Sequence, residues 1–144
     1  MSNARVSSAR GEKHSVAGVV LYQDGRVLMQ HRDNKPDIAS PGLWSIFGGS
    51  LDPGENPETG AVRELEEELE LKLTGRLSLI YRSESDTRVI HFFAHPLDAP
   101  IESLTLHEGQ DMRLLDRVDI RTYPLVPFHR KLVLEFLLSR GDML

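Results

Sequence analysis

Cysteine is absent from this chain of 144 residues. Its absence excludes disulfide bonds, a thiol nucleophile and a cysteine-based zinc site, and it is typical of proteins in a reducing cytoplasm. Long apolar runs are also absent, since even residues 132–138 are interrupted by Glu135 and fall well short of the roughly 18 residues of a membrane span. No secretory h-region stands near the first residue. We therefore expect a cytoplasmic protein without a membrane partner.

Positive charge is in short supply, with 17 Lys and Arg against 22 Asp and Glu, a net charge of -5. This balance argues against an extended nucleic-acid-binding face. Hydrophobic residues make up 40% of the chain, and it contains no repeat or low-complexity segment. We expect one globular domain over residues 14–144, preceded by a polar, flexible arm over residues 1–13.

The first half of the expected domain reads as a hairpin followed by a loop. Residues 15–22 and 26–31 are β-rich and are separated by Gln23-Asp24-Gly25, a hairpin signal. The loop over residues 32–42 contains two prolines and a glycine, so it should stay irregular and border a cleft.

The remaining apolar patterns predict further strands and a last helix. The helix spans residues 127–140, with Gly141 as its stop, and its buried stripe is predicted to be Phe128, Leu132, Phe136 and Leu137. The strands are predicted at residues 44–47, 73–83, 87–95, 104–106 and 112–115.

An unusually acidic helix is predicted over residues 57–70, with Asn56 as its N-cap and Pro57 as its first residue. Ala61, Val62, Leu65 and Leu69 form its apolar stripe. At about 100° per residue, Glu64, Glu67 and Glu68 share a second arc, whereas Glu66, Glu70 and Arg63 point away. We therefore expect Glu66 and Glu70 to tolerate replacement.

Carboxylates at i, i+3 and i+4 lie about 5 to 6 Å apart and repel one another unless something neutralises them. A charge run alone also fits a solvated helix face. Mg²⁺, by contrast, is commonly held by one or two carboxylates together with the phosphate oxygens of a substrate. The spacing alone leaves both readings open, a solvated face or a metal site with a phosphate-bearing substrate.

The segment over residues 49–71 resembles the Nudix box of the MutT-like Nudix hydrolase superfamily, which has a glycine, a glutamate and the Arg-Glu-aliphatic-any-Glu-Glu run at fixed spacing. Glu70 departs from it, because the family has glycine there. A helix usually ends at such a glycine in the left-handed conformation, and another residue costs about 1 kcal/mol. The departure affects the helix end and the following loop rather than the metal site. The matching residues are Gly49, Glu55, Arg63, Glu64, Leu65, Glu67, Glu68 and Leu71.

The resemblance implies an α/β fold, the Nudix α/β/α sandwich, with a mixed sheet between the box helix and the C-terminal helix. It implies that Glu64, Glu67, Glu68 and the carbonyl of Gly48 bind Mg²⁺ or Mn²⁺. The Gly48-Gly49 pair would let the backbone approach a metal or phosphate, although it also fits an ordinary turn.

Glu55 and Arg63 would support the metal-binding glutamates, as outer-shell partners do. A surface salt bridge between them is the alternative reading, worth less than about 1 kcal/mol.

Glu108, in the loop after residue 106, matches a family glutamate that binds an additional metal or acts as the general base, with Glu102 as its competitor and Glu64 as the other candidate base.

His91 and His95 share one face of a predicted strand; they either line the nucleotide cleft or are half-buried. Three aromatic residues are candidates for stacking on a base or for the core: Tyr22, Trp44 and Phe47.

The resemblance implies hydrolysis of the diphosphate bond of a nucleoside diphosphate linked to another group. Nucleoside triphosphates, oxidised deoxynucleotides, nucleotide sugars and ADP-ribose all stay open, with specificity expected in the loops over residues 32–42 and 96–109. A non-catalytic nucleotide-binding module is the alternative, and a homodimer fits many family members. The family's isoprenoid isomerases need a cysteine, which this chain lacks.

Overall fold

The computed structural model describes residues 13–140. The predicted arm, apart from Lys13, and the predicted helix stop at Gly141 lie outside the described residues. Within them the chain forms a mixed sheet, three helices and a single 3-10 turn at Ile101–Ser103. The helices are Pro57–Leu69 (α1), Arg117–Thr122 (α2) and Pro127–Ser139 (α3). The strands are His14–Gln23 (β1), Arg26–His31 (β2), Trp44–Ser45 (β3), Phe47–Ser50 (β4), Ser78–Glu84 (β5), Arg88–Pro96 (β6) and Asp111–Leu115 (β7).

The sheet divides beside β1. β1 runs parallel to β6 along one edge, and on its other edge it pairs first with β4 and then, at Tyr22 and Gln23, with β2. Beyond Val27, β2 leaves β1 and pairs with β3, while β7 pairs with β2 from Val27 to His31. The short strand β4 therefore lies in the fork between β1 and β2.

The predicted hairpin between β1 and β2 is confirmed. Asp24 and Gly25 have φ values of 53° and 74°, the pair of left-handed residues that two-residue hairpin turns prefer because it matches the twist of the strands.

Each face of the sheet carries its own core, and this confirms the α/β/α sandwich. The apolar residues of β1 alternate between the faces, with Val19 and Leu21 packing toward α1 and Val20 packing toward α3. Leu65 and Leu69 anchor α1, and Val133 and Leu137 anchor α3; none of the four exposes any surface. Full burial of each such side chain contributes about 1.5 to 3 kcal/mol.

Three predicted strands differ from the structure. The single strand predicted over residues 44–47 is two short strands, Trp44–Ser45 and Phe47–Ser50. The strand predicted from residue 73 begins at Ser78. Residues 104–106 form no strand, because Thr105 N–H donates to the carbonyl of Leu69 and His107 N–H to that of Glu68, at 3.2 and 2.9 Å. The carbonyls at the end of α1 therefore accept the N–H groups of this segment, which the apolar pattern predicted to pair with another strand.

The last helix confirms its predicted start at Pro127 and ends one residue early, but its buried stripe was partly wrong. Val133 is buried, whereas Phe128 is 36% exposed and packs its ring near those of Tyr81 and Phe92. Helix α2, which begins at a capping box between Asp116 and Asp119, was not predicted from the sequence. No helix among residues 13–140 is long and apolar enough to cross a membrane.

Candidate active site

The ends of helix α1 are set by its capping residues, Asn56 before it and Glu70 after it. The side chain of Asn56 accepts hydrogen bonds from the backbone N–H groups of Glu58 and Thr59, at 3.0 and 3.1 Å, and Pro57 is the first helical residue. At the other end Glu70 takes the left-handed conformation, with φ 54° and ψ 34°. The backbone therefore keeps the shape that the family reserves for glycine.

The glycines of β4 are required by close packing within the protein. A Cβ on Gly48 would lie 2.3 Å from the carbonyl oxygen of Ala17 in β1, and one on Gly49 would lie 2.6 Å from a carboxylate oxygen of Glu64. Real Cβ atoms do not approach so closely. At Gly48 the contact is with backbone, so that position excludes a side chain, whereas at Gly49 a side chain would have to push the carboxylate of Glu64 aside. Gly49 thus lets the carboxylate of Glu64 reach the sheet.

Arg63 connects the loop before α1 to the acidic face of the helix. Its Nε and Nη2 donate to both oxygens of Glu55, at 2.8 and 2.9 Å, and Asp52 N–H donates to Glu55 as well. The bond to Arg63 and then that to Asp52 lower the pKa of Glu55 to about 2. Glu55 is thus ionised at neutral pH and held in a bidentate pair, which is stronger than an ordinary hydrogen bond.

The predicted direction of Arg63 was wrong. Its Nη1 lies 3.1 Å from an oxygen of Glu67 and 3.3 Å from one of Glu64. On the helical projection Arg63 is only about 40° from Glu67, and its long side chain folds back across that gap. In this structure Arg63 is therefore the counter-ion of the acidic arc.

Glu68 is the buried member of the arc. The residue is 5% exposed, and its Oε1 is fully buried without a hydrogen-bond partner among the described residues. Burial, together with the neighbouring carboxylates of Glu108 and Glu64, raises the pKa of Glu68 far above its ordinary value of 4.5. A buried carboxylate that has no donor is costly to ionise, so this position favours either a proton or a cation.

The loop before β7 brings Glu108 to this carboxylate. Gln30 Nε2 donates to the carbonyl of Glu108 at 2.8 Å, and Gln110 N–H donates to the carbonyl of His31 at 2.7 Å. These bonds tie the loop to β2 on one side while the end of α1 holds it on the other. Of the two glutamates considered, Glu108 lies beside Glu68, and Glu102 lies in the exposed 3-10 turn.

A hard divalent cation fits this donor set. Oxygen donors that include an unpartnered buried carboxylate are what such a cation requires. Among residues 13–140, however, no three His, Asp or Glu side chains are already gathered around one ion position, since Arg63 holds Glu64 and Glu67. The residues able to bind a metal are thus adjacent, and they would exchange contacts with Arg63 for contacts with the ion.

A cleft of about 490 Å³ opens on the α3 side of the sheet, beside β4. Its walls include Gly48 and Gly49, so it borders the strand whose other side faces Glu64. Arg32, Ala39 and Ser40 contribute from the predicted cleft loop, which fits the position expected for residues 32–42. The segment over residues 96–109 does not line this cleft.

Two polar side chains in the cleft escaped the sequence analysis. Ser45 is 1% exposed and its Oγ has no partner among the described residues. His129 Nδ1 accepts the N–H of Ile46 at 3.1 Å, and burial lowers the pKa of His129 to about 4. The imidazole is therefore neutral, with its proton on Nε2. Ser45 could have been chosen as a candidate from the sequence, because it is a polar residue between the apolar Trp44 and Ile46. No local sequence pattern predicts that Ile46 contacts His129.

Most of the remaining candidates lie in or beside the core. Trp44 and Phe47 are buried, and Tyr22 packs on Phe136 and Arg140. His95 is held by the carbonyls of Thr74 and Pro96. His91 is half-buried beside Phe93, and neither histidine lines the cleft.

This mixed sheet between two helices, with an arginine-braced acidic helix, defines a MutT-like Nudix hydrolase, an enzyme that acts on acid anhydrides. The NUDIX domain family model matches residues 12–136, and the chain belongs to this family.

Individual relatives agree with this assignment. Over 127 residues the chain is 31% identical to the CTP pyrophosphohydrolase of Escherichia coli K12, covering 88% of this chain and 93% of that protein. Over 118 residues it is 28% identical to the 8-oxo-dGTP diphosphatase of Haemophilus influenzae, covering 81% and 85%. The solution structure of the E. coli ORF135 protein matches with a TM-score of 0.67 at 30% identity, covering 90% of this chain and 92% of that one.

Replacing Glu68 with Gln should stabilise the metal-free protein, because an amide carries no charge and can donate to a neighbouring carboxylate. The pKa of Glu68 is higher in the fold than its ordinary 4.5, so the folded state binds more protons and wild-type stability falls as pH rises above that value. At pH 7 we expect Glu68→Gln to add about 1 to 3 kcal/mol to the free energy of unfolding.

Urea unfolding of chelator-treated protein between pH 5 and 8 measures the effect. Glu66→Gln is the matched control, since Glu66 is exposed and pairs only with Lys72 among the described residues. If wild type and Glu68→Gln change in stability with pH to the same extent, Glu68 is not the strained group.

Proposed function

We propose that this protein is a divalent-metal-dependent pyrophosphohydrolase of nucleoside triphosphates. The observation that carries the proposal is the buried Oε1 of Glu68, which has no hydrogen-bond partner among the described residues although Glu64 and Glu108 lie beside it. Glu64 in turn reaches Gly49, and Gly49 borders the cleft. The groups suited to a metal and the cavity suited to a nucleotide therefore meet at β4.

Nudix hydrolases generally use divalent metal ions. Here Mg²⁺ or Mn²⁺ would be held by the carboxylates of Glu64, Glu67, Glu68 and Glu108 and by the carbonyl of Gly48. Such an ion, when bound, neutralises charge on phosphate oxygens and acidifies water.

The protein's own groups then have separate roles. A carboxylate oxygen of Glu64 or Glu108 accepts the proton of the attacking water as one P–O–P bond breaks and the leaving phosphate takes the bonding electrons. Glu55 holds Arg63 through two hydrogen bonds. Arg63 keeps Glu64 and Glu67 in place before substrate arrives.

The cleft favours a nucleotide whose base accepts hydrogen bonds. His129 presents a donor at Nε2, since its Nδ1 is occupied by Ile46. Ser45 offers a buried hydroxyl that a polar base atom would satisfy. Arg32 and Arg88 add positive charge to the same walls, and this suits a polyphosphate.

The names of two relatives favour triphosphates among the substrates considered. One is a CTP pyrophosphohydrolase and another an 8-oxo-dGTP diphosphatase, whereas nucleotide sugars and ADP-ribose find no such support in them. A homodimer and a cytoplasmic location stay predictions.

Glu67→Gln and Glu68→Gln should each lower turnover by about 100-fold or more while the fold survives, because even outer-shell partners of metals account for about 10- to 100-fold. Steady-state kinetics over a Mg²⁺ series, with circular dichroism to verify folding, measures this. Glu66→Gln, on the same helix but directed away from the arc, should keep wild-type turnover. Near-wild-type rates for both arc variants would refute the proposed metal site.

The substrate is tested by nucleoside monophosphate release from CTP, dCTP, dGTP and 8-oxo-dGTP, against UDP-glucose and ADP-ribose, with Mg²⁺ or Mn²⁺. We expect triphosphates to be hydrolysed and the other two compounds to be left intact. Binding of the nucleotides without hydrolysis would instead identify a non-catalytic module.

His129→Asn keeps an acceptor for Ile46 N–H but loses the donor in the cleft, whereas His129→Gln places an amide donor near the Nε2 position. For the preferred nucleotide we expect kcat/KM to fall by about 5- to 30-fold in His129→Asn, the value of a lost hydrogen bond. His129→Gln should lose less. Equal losses in both variants would mean that the Nε2 donor does not read the base.

A further inference from the structure

Glu70 is an unfavourable choice for the end of α1 on local grounds. Its backbone is left-handed, with φ 54°, a conformation that glycine adopts without strain. Its carboxylate also stands at the negative end of the helix dipole. A local explanation therefore favours glycine, and the reason for a glutamate must lie in what its side chain contacts.

That contact is His107. The Nε2–H of His107 donates to Oε2 of Glu70 at 2.5 Å, since a carboxylate can only accept. The two side chains are 48% and 59% exposed, and exposed ion pairs contribute little to stability. The free energy of unfolding therefore gives little reason for this contact.

His107 directly precedes Glu108, and its backbone is already bound to the same helix end. His107 N–H donates to the carbonyl of Glu68, and Thr105 N–H donates to that of Leu69. These carbonyls belong to the last turn of α1, where the helix itself supplies no donor. The contact between Glu70 and His107 adds a side-chain bond to two backbone bonds at one junction.

We propose that Glu70 is a positioning residue that acts through His107 to hold Glu108 against Glu68. The inference rests on the proposed metal site, and it assigns a role to the one residue of the box that departs from the family pattern. It also replaces the expectation that Glu70 tolerates substitution. Without this contact the loop keeps its bonds to β2 but loses the side-chain bond that fixes it to the helix.

The test compares Glu70→Gly, which restores the family glycine, with Glu70→Gln, which keeps an acceptor oxygen for His107. We expect Glu70→Gly to unfold at the same temperature as wild type or higher, yet to need about 3- to 10-fold more Mg²⁺ for half-maximal activity, less than the loss of a direct outer-shell partner. Glu70→Gln should restore the Mg²⁺ requirement. Glu66→Gln removes the same charge without this contact and is the control.

Hydrogen exchange of the metal-free protein provides a readout that does not depend on catalysis. The amides of residues 105–109 should exchange faster in Glu70→Gly than in wild type or Glu70→Gln, and His107→Ala should match Glu70→Gly. Adding His107→Ala to Glu70→Gly should cause no further change in either readout.

The outcomes separate this inference from the function on which it rests. A Glu70→Gly protein with wild-type exchange and a wild-type Mg²⁺ requirement overturns the positioning role and leaves the metal site standing. Faster exchange at residues 105–109 with an unchanged Mg²⁺ requirement also overturns it, because the loop would then move without consequence for the site. If Glu68→Gln and Glu67→Gln keep full activity, the metal site itself fails.

Discussion

The carboxylate of Glu68, buried with no donor to its Oε1 among residues 13–140, is the constraint around which the rest of the site is arranged. Removing a charge from water without a partner is costly, and here two further carboxylates lie beside it. Hydrophobic packing holds it in place, since Leu65 and Leu69 on the neighbouring stripe of α1 are fully buried. The helix cannot turn Glu68 toward water without withdrawing those side chains from the core. The fold thus holds Glu68 where a proton or, in the proposed metal site, a cation would stabilise it, as expected where stability and function compete.

Arg63 explains how such a helix folds when no metal is bound. Its guanidinium bridges Glu55, Glu64 and Glu67, so most of the like-charge repulsion on the outer part of the arc is offset within the protein. Glu68 lies beyond its reach and keeps its strain. A metal can therefore displace Arg63 from Glu64 and Glu67 while the bidentate bond to Glu55 continues to anchor the arginine. The same pair of residues serves the metal-free fold and the proposed metal-bound site.

Local patterns predicted what depends on neighbours in sequence, and tertiary contacts decided the rest. The Asp24-Gly25 turn, the Asn56 cap and the acidic arc follow from backbone geometry and helical spacing. By contrast, residues 104–106 have the apolar pattern of a strand, but their backbone bonds to a carbonyl at the end of α1. No sequence pattern near these residues predicts that partner. The cleft is likewise assembled by a bond between Ile46 and His129, far apart in the chain. Glu108 was identified through the family resemblance, whereas its contact with Glu68 could only come from the structure.

The strand β4 separates the residues proposed to bind metal from those proposed to contact the base, so a substitution in one set need not affect the other. The carboxylates proposed to bind metal come from α1 and the loop before β7, and the polar groups proposed to read the base come from β3 and α3. They meet at Gly48, where the backbone of Ala17 excludes a side chain, and at Gly49, where a side chain would displace the carboxylate of Glu64. Under the proposed function, substitutions at Ser45 or His129 would therefore alter which nucleotide fits without disturbing the carboxylates proposed to bind metal. Such a separation would let one hydrolytic site serve several base-reading clefts, and it would account for relatives that are named for nucleotides with different bases, CTP and 8-oxo-dGTP.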